Sequence, residues 1–257
     1  MISIIVPVIW KFNPFCGFIS RVVELPVVNE VILINNVVSS TPNHSVLSHP
    51  KVRLYNQEKN LFTNPSWNLG VSLAKSDTLC ILNDDVLVDL RVFFEANDFI
   101  SKEVGLLCNG LSQDIYKLHA NENLDQININ NATITGDVKI ELPRSNVFDE
   151  ITCSRMSVGS GCLMFIHKDN WIDIPHDLRQ DWGDTWQFEM QSALGRQNYY
   201  IYDHFFYSPW KMGRKNGVGS DYLQSQEFWE KENYENFKSL KMNKLKELNI
   251  PMGNLYE

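Results

Sequence analysis

Two adjacent carboxylates, Asp84 and Asp85, stand at the end of a short apolar run. The run, residues 79–82, is typical of a buried strand, and Asn83 separates it from the two acids. In an open α/β sheet the carboxyl ends of the strands border the ligand crevice, so acids there are placed for a metal ion or a ligand. Because successive strand side chains point to opposite faces, we predict that Asp85 binds the metal and that Asp84 contacts the rest of the ligand or caps the following turn. The alternative is that both acids only cap a turn.

Alternating strand-like and helix-like segments predict an α/β protein with a mostly parallel central sheet flanked by helices. The predicted strands are 2–8, 30–34, 52–55, 79–82, 104–108, 162–166 and 199–202. The predicted helices are 18–25, one that opens at Pro65 and Ser66, 90–100 and 184–194, the last closed by Gly195. Residues 109–156 have a weak, Asn-rich pattern that is compatible with a hairpin turning at Gly136-Asp137. From residue 221 onward the chain is polar and helical in character.

The bulk composition is that of an ordinary globular protein with an acidic balance. The chain has 257 residues, 44% of them hydrophobic, a net charge of -8 and a pI near 5.3. This charge disfavours a nucleic-acid binder held by phosphate contacts, although Lys211, Arg214 and Lys215 form a local basic patch in the sequence. The five cysteines lack a C-x-x-C pair, which predicts reduced, buried thiols. Reduced thiols of this kind predict a cytoplasmic protein. No apolar run reaches the length of about 20 residues that crosses a bilayer, so we predict no transmembrane segment.

A series of short motifs resembles the family 2 glycosyltransferases, which have the GT-A fold. The motifs are Pro7 near the end of the first strand, Asn35-Asn36, Asn60, Asn68-x-Gly70, Asn83-Asp84-Asp85, VGSGCLM at 158–164, Trp182-Gly183-Asp184 and Asp203-His204. The resemblance spans roughly residues 2–110 and 155–240. It implies a GT-A domain over residues 1–220, with a nucleotide-sugar half at about 1–110 and an acceptor half at about 111–220, followed by a C-terminal helical extension at 221–257.

Two positions depart from the family's pattern. Asn35 stands where the family commonly has an Asp that reads the base of the nucleotide, and Asn83 stands at the first position of the family's Asp-x-Asp metal motif. The second substitution leaves Asp85 to carry more of the metal binding.

The resemblance implies an inverting transfer of a sugar from a nucleotide-diphosphate donor to a hydroxyl acceptor. A carboxylate can remove the acceptor's proton as it attacks, and Asp184 is the predicted general base, with Asp181 as the alternate acid. The structural alternative is a capping box made by Asp184 and Gln187. The implied cofactor is a divalent cation, Mn²⁺ or Mg²⁺, that neutralises the diphosphate, and Asp85 is its predicted ligand. His204 is predicted to complete the coordination or to contact the diphosphate; the alternative is a histidine packed among aromatic residues.

Two further groups of residues are assigned to the substrates. The predicted sugar-donor residues are Pro7, Val8, Asn35, Asn36, Asn60, Asn68, Asp84, Lys211 and Arg214. The predicted acceptor residues are Gly159, Ser160, Gly161, Trp182 and Trp186. Each group has a structural alternative: asparagines satisfy loop backbone groups, loop charges are solvated, glycines form a bulge, and tryptophans pack in the core.

The chain itself leaves the acceptor open among a glycan, a lipid-linked sugar, a protein and a modified nucleic-acid base.

Two other functions use the same sheet. A sugar-phosphate nucleotidyltransferase normally has a glycine- and lysine-rich phosphate loop after the first strand, and the sequence IWKFNPFCGF at 9–18 argues against one. A non-catalytic domain that binds a nucleotide-sugar or a carbohydrate is compatible with the two Asn substitutions.

Overall fold

The computed structural model describes residues 1–109, 148–150, 160–201, 206–207 and 224–250. Within them, the strands are β1 (Ile2–Val8), β2 (Val28–Asn35), β3 (Val52–Asn56), β4 (Thr78–Leu82), β5 (Leu87–Val88), β6 (Val104–Asn109), β7 (Phe148–Glu150), β8 (Leu163–His167), β9 (Gln197–Ile201) and β10 (Phe206–Tyr207). The α-helices of the same residues are α1 (Phe15–Val22), α2 (Thr63–Leu73), α3 (Arg91–Phe99), α4 (Gly183–Ala193), α5 (Gln226–Lys231) and α6 (Tyr234–Glu247).

The strands form one large sheet in the order β3-β2-β1-β4-β8-β6-β9-β7, and β5 pairs separately with β10. β1 is parallel to both β2 and β4. The chain therefore runs outward from β1 through β2 and β3 and then returns to the other side of β1 as β4. This reversal opens a crevice at the carboxyl ends of β1 and β4, where α/β sheets of this kind bind ligands.

The mostly parallel sheet that the sequence predicts is confirmed, with two strands of opposite direction, β8 in its middle and β7 at one edge. β8 is antiparallel to both of its neighbours, β4 and β6. Its apolar composition predicts the strand but carries no information on direction, because a fully buried strand reads the same either way. The possible hairpin at Gly136-Asp137 lies outside the described residues.

Each face of the sheet carries its own apolar core. On one face the strands pack against α1 and α3 through residues such as Phe18 and Phe93. On the other face they pack against α2, α4 and α6 through Trp67, Trp186 and Phe237. Since α6 contributes fully buried residues to the second core, the described part of the C-terminal helices packs directly on the sheet domain.

Helix α1 begins three residues earlier than the predicted helix. Pro14 occupies the N-cap with φ −68°, a dihedral that proline adopts at a helix start, so the chain enters the helix at Phe15. The apolar residues Phe15, Phe18, Ile19 and Val22 then recur at helical spacing and are buried. The prediction missed this first turn because it assigned the Pro14 region to a loop.

Helix α2 packs unusually close to β1, and Gly70 makes this possible. A Cβ at Gly70 would lie 2.2 Å from Cγ2 of Ile5. The glycine of the Asn68-x-Gly70 motif therefore serves helix–sheet packing, which sets the distance between α2 and the strand that enters the crevice.

A buried ion pair ties together the amino ends of the strands, opposite the crevice. Glu30 on β2 is 3% exposed, and its carboxylate accepts hydrogen bonds from Ser3 Oγ (2.8 Å), the Lys75 N–H (2.7 Å) and Arg53 Nη1 (2.5 Å). Burial alone raises the pKa of Glu30, but these partners outweigh it, and the pKa is lowered from its ordinary value.

We expect Glu30→Gln to lower the free energy of unfolding by about 2–3 kcal/mol at pH 7, because it leaves Arg53 without its buried partner. A carboxyl with a lowered folded-state pKa contributes stability above its unfolded pKa and loses it as the pH falls through the folded pKa. The difference between the variant and the wild type should therefore shrink in urea titrations below about pH 4. Glu24→Gln, at a carboxylate that is 74% exposed, is the control and should change little at either pH.

Among the described residues, no helix combines the length and the apolar composition needed to cross a membrane.

Candidate active site

Asp84 lies at the carboxyl end of β4 and fixes the loop that follows β1. Its Oδ2 accepts hydrogen bonds from the N–H groups of Ile9 (2.7 Å) and Trp10 (3.2 Å). Trp10 has a left-handed backbone with φ 62°, a strained conformation for a non-glycine residue, and this contact stabilises it. Asp84 therefore turns back toward β1, and the prediction that it caps the following turn is wrong; its contact with the sugar donor stays a prediction.

The electrostatic environment of Asp84 is set by burial and by its neighbour. Burial raises the pKa of Asp84 to about 7, and the negative charge of Asp85 acts in the same direction. The N–H groups of Ile9 and Trp10 oppose both effects. The Asp85 side chain is itself 9% exposed, so the two adjacent acids form a local concentration of negative charge at the strand end.

Asp184 lies in the first turn of α4, and its position follows from two unusual residues before it. Trp182 is the N-cap with φ 67°, in the left-handed region, and Gly183 follows as the first helical residue. A Cβ on Gly183 would lie 2.0 Å from Oδ1 of Asn64, so only glycine allows the helix to start here. Burial raises the pKa of Asp184, and the negative charge of Asp181 adds to the rise.

The capping-box alternative for Asp184 is wrong. The Asp184 Oδ1 accepts the N–H of its neighbour Thr185 (2.8 Å), and the helix begins one residue before Asp184 rather than after it. Gln187 does not reach back to the helix start; its side chain bonds the backbone N–H and C=O of Ile172. Asp184 thus satisfies one free N–H of the first turn but does not form a capping box with Gln187.

Cys162 and Gly161 lie between the end of β4 and the start of α4: the Asn83 N–H donates to the Cys162 C=O at 3.1 Å, and Asp184 packs against Gly161. Cys162 is partly buried; burial is the main cause of the raised pKa of its thiol, and the charges of Asp85 and Asp184 raise the pKa further. Gly161 brings Asp184 this close, because a Cβ there would lie 2.5 Å from the Asp184 Oδ2. Asn83, which follows β4 and precedes Asp84, bonds Cys162 through its backbone N–H and through its side chain. The end of β4 and the start of α4 thus meet at Cys162, the residue before β8. The contact of Gly161 with an acceptor stays a prediction.

Asn35 at the end of β2 is enclosed by protein groups. Its Oδ1 accepts hydrogen bonds from Trp10 Nε1 (2.7 Å) and the Val37 N–H (3.2 Å). Its Nδ2 donates to Thr41 Oγ1 (2.8 Å) and Asn56 Oδ1 (2.7 Å). All four hydrogen-bonding positions of the amide are therefore used, and its residue is 0% exposed. Asn35 therefore positions Trp10. A contact between Asn35 and the base of the nucleotide stays a prediction.

The other predicted sugar-donor asparagines also hold the scaffold. Asn36 accepts the Leu61 N–H (2.9 Å) and donates to Ser66 Oγ (3.0 Å). Asn60 accepts the N–H two residues on, at 2.8 Å, as asparagine does in tight turns. Asn68 bonds both the N–H and the C=O of Ile174. These contacts agree with the structural alternative, and the roles toward a sugar donor stay untested.

Pro7 and Val8 end the central strand β1 beside the crevice. Val8 is fully buried, and its C=O accepts the Asn36 N–H at 3.0 Å. Its side chain belongs to the core, so a contact with a ligand at this position falls to the backbone or to the residues that follow.

The two tryptophans assigned to the acceptor differ in exposure. Trp186 is fully buried in the core and donates from Nε1 to the Ile172 C=O at 3.2 Å. A buried indole with a bonded N–H cannot stack on a sugar, so the acceptor role predicted for Trp186 is not supported by its position. Trp182 is partly buried, and its ring stacks on Phe237 with centroids 5.1 Å apart.

Several predicted residues cannot be placed. Gly159, Lys211, Arg214 and His204 lie outside the described residues. Ser160 is described only as the start of a short 3₁₀ turn that precedes β8. Among the described residues there is also no group of three or more His, Cys, Asp or Glu side chains that could hold a metal ion.

The structure adds residues that the sequence did not single out. Trp10, Asn64 and Glu232 each hold a segment next to the acids, and none belongs to a recognisable motif. The one usable signal was an aromatic residue directly after a strand that ends at the crevice, which marks Trp10. Nothing local distinguishes Asn64 or Glu232, because their partners are distant in the sequence.

No protein-family model and no curated protein matches the sequence of the chain. Solved structures do match its shape. The chain resembles TarS from S. aureus with a TM-score of 0.53 and 13% identity, over 88% of this chain and 40% of TarS. It resembles the mannosyltransferase PcManGT from Pyrobaculum calidifontis, in complex with GDP-Man and Mn²⁺, with a TM-score of 0.50 and 14% identity, over 77% of this chain and 53% of that one. The chain has the GT-A fold.

The match to TarS also includes a ligand-bound structure. Residues 1–349 of TarS in complex with UDP match with a TM-score of 0.50 and 14% identity, over 78% of this chain and 60% of that one. This chain thus spans less than two thirds of the length of these proteins. At such low identity the comparison establishes a shared fold.

Proposed function

We propose that the protein transfers a sugar from a nucleotide-diphosphate donor to a hydroxyl acceptor. The observation that carries the proposal is the position of the β4 end, which bears Asp85, and of Asp184 on either side of Gly161 and Cys162 at the carboxyl edge of a GT-A sheet. The Asn83 N–H donates to the Cys162 C=O at 3.1 Å, and a Cβ at Gly161 would lie 2.5 Å from the Asp184 Oδ2. The two acids come from elements about a hundred residues apart in the sequence. Because their environments differ, one acid can act as a general base while the other binds a cation.

Asp184 is the general base of the proposed reaction. Its carboxylate accepts the proton of the acceptor hydroxyl as the oxygen attacks the anomeric carbon. The bond between that carbon and the diphosphate oxygen breaks, and the nucleoside diphosphate leaves with the electron pair. A direct displacement of this kind inverts the anomeric configuration. The raised pKa of Asp184 makes it a stronger base than an ordinary aspartate.

Asp85 is the proposed ligand of a divalent cation, Mn²⁺ or Mg²⁺. The residues fit such an ion in their chemistry: carboxylate oxygens are hard ligands, and the mutual repulsion of Asp84 and Asp85 favours a cation beside them. Cations of this class are commonly held by one or two carboxylates together with substrate phosphates, so a full protein cage is not needed. When bound, the ion would neutralise the charge that grows on the leaving diphosphate.

A thermal-shift screen of UDP-, GDP- and dTDP-sugars, each with and without Mn²⁺, tests the proposal. We expect a rise in the unfolding midpoint with at least one nucleotide-sugar, and a larger rise when Mn²⁺ is present, because a ligand that binds only the folded state stabilises it. Release of nucleoside diphosphate from that compound then distinguishes an enzyme from a binding domain. A metal-dependent shift without any turnover would favour the non-catalytic domain, and the absence of any shift would contradict the proposal.

A further inference from the structure

The residues that lead into α4 form a segment that we call the 178–182 loop. A single carboxylate accepts hydrogen bonds from three of its backbone N–H groups. Glu232 Oε1 accepts hydrogen bonds from the N–H groups of Arg179 and Gln180, both at 2.8 Å. Glu232 Oε2 accepts the N–H of Asp181 at 2.6 Å. Three consecutive backbone N–H groups thus converge on one side chain, which belongs to the residue that ends helix α5.

The carbonyl groups of the same loop are held from the opposite direction. Asn64, in the first turn of α2, donates from Nδ2 to the C=O groups of Leu178 (2.9 Å) and Asp181 (2.8 Å). Its own N–H donates to the Arg179 C=O at 2.9 Å. The loop is therefore fixed between the sheet domain on one side and the C-terminal helices on the other.

The energetics of this arrangement favour a rigid loop. Glu232 is 6% exposed, and an ionised group at such a site must be hydrogen-bonded to be tolerated. Hydrogen bonds to a carboxylate are about twice as strong as those between neutral groups. The backbone of the same residue adds a further contact, because its C=O accepts the Trp182 Nε1–H at 2.8 Å. The Trp182 ring also contacts the rings of both Tyr234 and Phe237 of α6.

We propose that Glu232 is a positioning residue for Asp184, and this inference rests on the function proposed above. Asp184 follows the 178–182 loop by two residues, and the left-handed Trp182 and the close approach of Gly183 to Asn64 leave the start of α4 little freedom. A shift of the loop therefore moves the carboxylate of Asp184 relative to Gly161 and Asp85. Displacements of about 1 Å at a reacting group cost on the order of a hundredfold in rate.

Glu232→Gln tests this role with little change in volume. The amide keeps one oxygen acceptor but presents an NH₂ group to backbone N–H groups that need an acceptor. Glu230→Gln is the matched control, since it removes the same charge from the same helix at an exposed side chain. Two measurements are made on both variants: hydrogen exchange of the 179–181 amides, and steady-state hydrolysis of UDP-GlcNAc and GDP-mannose with Mn²⁺.

In Glu232→Gln we expect the 179–181 amides to exchange at least about tenfold faster, while the amides of α6 keep their wild-type protection. The kcat for release of the nucleoside diphosphate should fall about tenfold or more, with the KM for the nucleotide-sugar within about twofold of the wild type. A purely structural role would instead alter KM and kcat together with the protection of α6. Glu230→Gln should match the wild type in both measurements.

Each contrary outcome has a separate meaning. Unchanged exchange at 179–181 overturns the statement that Glu232 holds the loop. Faster exchange with an unchanged kcat overturns its effect on Asp184. If the wild type releases nucleoside diphosphate neither from these two compounds nor from any nucleotide-sugar of the thermal-shift screen, the proposed function and the effect on its base are both overturned. The exchange measurement still decides whether Glu232 holds the loop.

Discussion

Asp184→Asn should lower the kcat of sugar transfer by about 10²–10⁴-fold and leave binding of the nucleotide-sugar intact. General bases contribute rate enhancements of this size, and an amide cannot accept the acceptor's proton. The asparagine keeps an oxygen that can accept the Thr185 N–H, so the helix start should be preserved. The measurement is steady-state release of nucleoside diphosphate, with binding followed by thermal shift.

The same variant should be more stable than the wild type at neutral pH. The pKa of Asp184 is raised in the folded protein, mainly by burial, so its contribution to stability is complete below the unfolded pKa and is lost as the pH rises through the folded pKa. At pH 7 the ionised carboxylate therefore destabilises the fold, and the neutral amide removes this cost. The gain should disappear in acid, and the acid limb of the wild-type pH–rate profile should lie above the range of an ordinary aspartate.

Asp181→Asn is the comparison for both measurements, because Asp181 is the alternate acid three residues earlier. Its backbone N–H and C=O are the groups that Glu232 and Asn64 hold, and these do not change in the variant. Turnover at the wild-type rate in Asp184→Asn would exclude Asp184 as the base. Loss of turnover in Asp181→Asn alone would move the role to that residue.

Asp85→Ala should abolish the Mn²⁺-dependent part of the thermal shift. A ligand present at 100 times its Kd stabilises the folded state by about 2.7 kcal/mol, which for a protein of this size corresponds to a rise of about 5–10 °C in the midpoint. Without the carboxylate we expect no difference between samples with and without Mn²⁺.

Asp77→Ala is the matched control for this variant. Asp77 precedes the same strand, β4, at its opposite end and is exposed, so the substitution removes one carboxylate away from the crevice. It should keep the full metal-dependent shift. A wild-type response in Asp85→Ala would show that the metal site lies elsewhere.

The strands around the crevice could be predicted from the sequence because their signal is local. β1 has the predicted bounds, and β3 and β4 differ from the predicted strands by one residue at one end. Short apolar or β-rich runs bounded by polar residues define such strands without reference to the rest of the chain. The direction of β8 was not predictable, since it depends on the path of the chain between β6 and β8.

The candidate site likewise has features that could be predicted from the sequence and features that could not. Residue types and their place at a strand end identified Asp84 and Asp85, but which of them bonds the loop after β1 depends on Ile9 and Trp10, about 75 residues away. Asn35 fits a ligand-contacting position by its place in the sequence, and its four internal hydrogen bonds could be found only in the folded chain.

The sequence by itself determined a mostly parallel α/β sheet, the acids at the end of its middle strand and a second acid near the start of α4. Only the tertiary structure brought Asp85 and Asp184 together at Cys162 and joined Glu232 to the loop that carries the second acid. The physical reason is one of range. Strand and helix signals lie within a few neighbouring residues, whereas hydrogen bonds and charge interactions across 50 to 100 residues depend on how the whole chain packs.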